Sequence, residues 1–178
     1  MQKNTNDTTR EKVLTLVYAG SCMALCLILP FFTGQIPQVG AALSPMHIPA
    51  LLAGFLCGPW WGLAVGFISP LLRMTIFGMP PFLTAVRMSF ELAAYAFVAG
   101  LLFRKLPKKR ISIYIALIAA MIIGRVIWGI VSVLILGISG QSFTWTAFIT
   151  GAVLSAVPGI VLQIILVPVI VMALTKQK

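Results

Sequence analysis

Arg73, Arg87, Glu91 and Arg125 all stand inside long apolar stretches of this sequence. A charge at the centre of a bilayer costs about 2.5–3.5 kcal/mol even on a lenient scale, so such groups face a shared interior, reach an interface, or pair. Arg87 and Glu91 are four residues apart, which on a helix puts them on one face and within pairing distance. Guanidinium forks match carboxylate and phosphate geometry. Three cations against one acid therefore point to a pocket of net charge about +2 that favours an anionic ligand. The competing reading is structural: Arg87 and Glu91 form a buried pair, and Arg73 and Arg125 extend toward the membrane surface. Gln163, in the middle of the last apolar stretch, and Trp128, close to Arg125, are candidates to join the site. His47 opens the second apolar stretch and is a further candidate, although a lone histidine there more often serves as a hydrogen-bonded loop residue.

The elements that must position these groups follow from composition. Of 178 residues, 60% are hydrophobic and 9% charged. A soluble domain of this size cannot hide that much apolar surface, so the sequence is that of an all-α, polytopic membrane protein. A spanning helix takes about 20 residues. Spans are expected at about 13–32, 46–57, 59–77, 82–103, 111–138 and 144–174 in a single membrane domain covering 1–178. The first is read as a retained helix, because its apolar run is too long for a signal peptide and no small-residue cleavage site follows.

Charge sets the direction. The stretch from His47 to Phe77 could be one span or two. If the N-terminal tail is cytoplasmic, one span would place the basic run "RKLPKKR" (104–110) outside, against the positive-inside rule. A fold-back at Gly58-Pro59, a dipeptide suited to tight turns, returns it to the cytoplasm. Six spans then give an N-in/C-in topology, with ten of the thirteen Lys and Arg in cytoplasmic segments. The net charge of +10 is thus an orientation signal and not a nucleic-acid footprint. By helical rise, Arg73 and Arg125 each lie roughly 21 Å from the cytoplasmic boundary, and Arg87 and Glu91 also fall in the outer half. Gly54-x3-Gly58 and Gly62-x3-Gly66 are spacings that let helices approach closely, most simply within the molecule. Trp60, Trp61 and Trp145 read as interfacial anchors. Cys22, Cys26 and Cys57 read as small apolar residues at helix contacts.

No P-loop, GxSxG or HExxH is present, so neither ATP hydrolysis nor a standard hydrolase is indicated, and the chain is read as no enzyme. One histidine without an acid cluster gives no expectation of a metal site, and no cofactor is implied. Glu91 could carry a proton in a stand-alone carrier, and a non-transport membrane assembly subunit is the third alternative.

"HIPALLAGFLCGPWWGLAVGFISPLLR" resembles the second and third helices of the S components of energy-coupling factor (ECF) vitamin transporters, and "FELAAYAFVAGLLFRKLPKK" resembles their fourth helix and basic loop. The resemblance covers nearly the whole chain. It implies a substrate-binding subunit of the bacterial cytoplasmic membrane that captures a vitamin or related micronutrient from outside. It also implies docking on a membrane coupling subunit that carries two ATPases. The site it implies draws on the 33–46 loop, which contains Gln35, on the 78–82 and 139–143 loops, and on Arg87, Glu91 and Arg125. The arginines lean the substrate toward an anion such as pantothenate, with folate-like compounds and riboflavin remaining open. The family docks through small residues at three-residue gaps on the first helix. Gly20-x3-Ala24 is the nearest match here, while Ala19-x3-Met23 departs from the pattern.

Overall fold

The computed structural model describes residues 5–33, 42–107, 109–138 and 157–175. These form six α-helices: α1 (Thr5–Ile28), which continues into a short 3-10 turn (Leu29–Thr33), α2 (His47–Cys57), α3 (Pro59–Phe77), α4 (Phe82–Lys105), α5 (Arg110–Ile138) and α6 (Val157–Thr175). Among the described residues, five stretches are long and apolar enough to cross a membrane: 9–32, which takes in most of α1 and the turn, and α3, α4, α5 and α6. At 11 residues α2 is about 16 Å long, roughly half the hydrocarbon thickness.

Helix α4 is the hub and packs against α2, α3 and α5, while α1 lies against α2 and α3, and α6 against α2 and α5. Leu51, Leu92, Leu117, Val167 and Val171 are fully buried between these elements. Large apolar side chains on the outward faces, among them Leu16, Ile111, Ile122, Val126 and Ile165, remain more than 45% exposed, as expected of surfaces that face lipid.

The break between α2 and α3 is a single residue. Gly58 adopts φ +96°, a conformation L side chains avoid, and Pro59 opens α3 at the first helical position, where its missing N–H costs nothing. The two helices fold back on each other at this point. A Cβ on Gly62 would lie 2.6 Å from the Gly54 Cα, and one on Gly100 2.6 Å from the Gly54 carbonyl oxygen. The glycine spacings therefore serve packing within the molecule and bring α2, α3 and α4 into backbone contact. Arg104, near the end of α4, donates to the Cys57 carbonyl at 3.1 Å and so caps the end of α2.

The cysteines also sit at helix contacts. The Cys26 Sγ approaches the Met46 carbonyl and the Cys57 Sγ the Thr15 carbonyl, both at 3.6 Å, joining α1 to either end of α2. Trp60 and Trp61 are exposed at the start of α3, and Trp60 packs edge-on against Phe97. Trp145 lies outside the described residues.

Candidate functional site

The site is built where α2 starts. Because α2 is short and its first residue is packed against α4, His47 is 3% exposed and lies inside the bundle. Its ring stands edge-on to Tyr95 with centroids 5.2 Å apart, and its Nε2 is 3.4 Å from the Glu91 Oε1. On α4, Glu91 and Tyr95 are one turn apart and share a face, 2% and 0% exposed. On α5, Arg125 reaches across to Glu91, with Nη1 to Oε1 at 2.9 Å. Gly124 makes this crossing close: a Cβ there would touch the Tyr95 ring at 3.0 Å.

Glu91 therefore pairs with Arg125 on the neighbouring helix. This corrects the expected Arg87–Glu91 pair. Helical side chains lean toward the N-terminus of their helix. Arg87 follows that direction: its Nε donates to the Leu83 carbonyl at 3.3 Å and its Nη2 to the Thr84 hydroxyl at 3.5 Å. A fully desolvated carboxylate also gains most from a cation at its own depth, and Arg125 supplies it. Arg87 is only half-buried.

Arg73 has different company. It is 3% exposed, donates to the Leu27 carbonyl near the end of α1, and stacks its guanidinium over Phe31 and Phe77 at 4.7 and 5.4 Å. These contacts tie α1 and its 3-10 turn to α3. Charge-assisted hydrogen bonds and cation–π contacts of this kind contribute about 2–3 kcal/mol together. An Arg73→Ala variant is expected to lose about that much stability in denaturation while keeping its ligand affinity.

The polar atoms of the cluster are largely unsatisfied. Both ring nitrogens of His47, the Glu91 Oε1, the Tyr95 hydroxyl, the Arg125 Nε and both side-chain polar atoms of Gln163 are buried without a hydrogen-bond partner among the described residues. The Glu91–Arg125 contact is an ion pair by distance, not an aligned hydrogen bond. Gln163, 1% exposed, lies on α6, which packs against the helices bearing His47 and Arg125. One turn earlier, a Cβ on Gly159 would come within 2.7 Å of the Ala42 carbonyl, which holds α6 against the chain leading into α2. Trp128 is half-buried one turn beyond Arg125. Gln35 and the 139–143 loop lie outside the described residues.

Tyr95 and Ser132 were not apparent from the sequence. Tyr95 could have been found from its i+4 relation to Glu91. Ser132 is fully buried two turns beyond Arg125, with its hydroxyl also unpaired among the described residues. A buried orphan polar atom costs on the order of 1–3 kcal/mol, so native structures keep few of them.

An apolar helical bundle enclosing such a polar centre is a membrane protein. The family model for the substrate-specific component of ECF transporters matches residues 14–171, and the chain belongs to that family. It is a membrane substrate-binding subunit and not a member of an enzyme family. No match was found among curated proteins or among solved structures.

Proposed function

We propose that this chain captures a vitamin or related micronutrient from outside the bacterial cytoplasmic membrane for an ATP-driven importer. In this reading the chain crosses the membrane six times with both termini inside. The end of the bundle carrying His47 faces outward. The observation that carries the reading is the buried His47–Glu91–Arg125 cluster with its unpartnered polar atoms. Its partners are a membrane coupling subunit and two ATPases. Gly20 and Ala24 form a small-residue face on α1 for docking. Both are exposed, and a Cβ on Gly20 would meet nothing within 4 Å, so among the described residues nothing packs on this face at Gly20. Glu91 is engaged by Arg125, which leaves the stand-alone proton carrier without an independent acid.

The charge argument for an anion changes with the geometry. Arg125 is opposed by Glu91, and Arg73 is enclosed by Leu27, Phe31 and Phe77. The expected net charge of about +2 in one pocket is not what the side chains assemble. Of Arg73, Arg87 and Arg125, it is Arg87, on the same face of α4 as Glu91, that is neither opposed by an acid nor enclosed among the described residues and so can meet an anion such as pantothenate.

Native mass spectrometry of the protein purified in mild detergent from cells grown on a vitamin-rich medium tests the reading. A small molecule is expected to remain bound to the wild type and to be lost from Glu91→Gln, an isosteric change that keeps an acceptor. No bound molecule, together with no uptake when the ATPase module is co-expressed, would overturn it.

A further inference from the structure

The orphan atoms define what kind of ligand end the cluster takes. Glu91 Oε1 can only accept, and Arg125 Nε can only donate. His47, Tyr95 and Gln163 each offer both functions. The charges of Glu91 and Arg125 cancel within their ion pair. An ionised carboxylate placed here accepts only, so it would leave Glu91 Oε1 unsatisfied and would face a like charge. An ammonium donates only and would leave Arg125 Nε unsatisfied. A neutral group that both donates and accepts, such as an amide, lactam, imide or ureide, answers both.

Along α4, Thr84, Arg87, Glu91 and Tyr95 form one polar stripe, at spacings of three, four and four. Burial deepens along it, from half-buried Thr84 and Arg87 to Glu91 and Tyr95 at 2% and 0% exposed. At the start of α4, Phe82 and Leu83 are 62% and 45% exposed, so Arg87 stands at the open end. Its two long hydrogen bonds use two of the five guanidinium N–H donors.

We infer that the substrate is two-ended. A neutral head that both donates and accepts hydrogen bonds sits on the His47–Glu91–Arg125–Tyr95 floor, and an anionic tail lies at Arg87. This rests on the capture reading above and narrows it to a ligand class.

The test measures binding by thermal shift and by isothermal titration on the full chain in detergent. The probes are matched pairs: folate and pterin, biotin and biotinamide, pantothenate and panthenol. Nicotinate and lipoate serve as carboxylates whose ring carries no N–H. At least one tailed compound is expected to bind, and its tailless counterpart to bind more weakly. Arg87→Gln should weaken the tailed compound about tenfold, the scale of one lost charged hydrogen bond, and leave the tailless one unchanged. Tyr95→Phe keeps the buried ring and removes only the hydroxyl, so the ligand-free midpoint should change little. Both members of the pair should nevertheless bind about tenfold more weakly.

The inference is overturned if nicotinate or lipoate binds most tightly, or if Arg87→Gln weakens both members of a pair equally. It is also overturned if Tyr95→Phe lowers stability without changing affinity. If no probe binds while native mass spectrometry shows a carried molecule, the ligand class is wrong and the capture reading stands. If no probe binds and no molecule is carried, both fall.

Discussion

Arg125→Ala is expected to destabilise the protein by about 3–5 kcal/mol, read as a loss of folded, monodisperse material in detergent and a lowered unfolding midpoint. Glu91 is 2% exposed and its nearest cation is the Arg125 guanidinium at 2.9 Å. Removing one member of a buried ion pair leaves the other as an uncompensated charge in a low-dielectric interior, and that penalty exceeds the net contribution of the intact pair. The double variant Glu91→Gln/Arg125→Met should therefore recover most of the lost stability while binding no ligand. A cycle in which the two changes simply add would show that the ion pair is not the source of the effect.

The second large effect is steric. A Cβ at Gly66 would lie 2.5 Å from the Leu92 carbonyl oxygen and 2.8 Å from the Ala93 nitrogen. Both are backbone atoms that cannot swing aside. Gly66→Val should force α3 away from α4 immediately beside Glu91, at a cost above the usual 1–3 kcal/mol of overpacking. It should abolish ligand retention along with folding. Gly20→Val is the matched control: nothing stands within 4 Å of a Cβ there, so folding and ligand binding should be unchanged. If Gly20 docks the coupling subunit, uptake should fall in that variant all the same. Circular dichroism melts and ligand-retention assays on the two proteins separate the cases. A Gly66→Val protein that melts like the wild type would show that α3 and α4 are not in backbone contact.

The sequence made the all-helical membrane class legible because apolar runs bounded by Gly, Pro and basic clusters reveal helix lengths without any knowledge of packing. The α2–α3 break was legible for the same reason, since Gly58-Pro59 encodes a local conformation. Glu91 and Arg125 could be singled out by type, because a charge in an apolar run is costly wherever it lies. Their pairing was not legible. A one-dimensional reading favours partners three or four residues away, and so selected Arg87. The actual partner is 34 residues distant in sequence and is fixed by how α5 crosses α4 at Gly124. The same limit applies to Arg73, whose contacts with Leu27 and Phe31 depend on where α1 meets α3. His47 looked like a loop residue because its burial follows from the shortness of α2, which the sequence boundaries suggest, and from its packing on α4, which they do not.

Arg104 belongs to the basic run that argues for membrane orientation, yet its guanidinium also closes the end of α2 through the Cys57 carbonyl. The two roles divide among neighbouring cations. Lys105, Lys109 and Arg110 can be exchanged for neutral or acidic residues to ask whether charge directs insertion. Changing Arg104 would loosen the hairpin and alter insertion for a different reason. Charge-inversion mapping of this chain is clean only when that one cation is left in place.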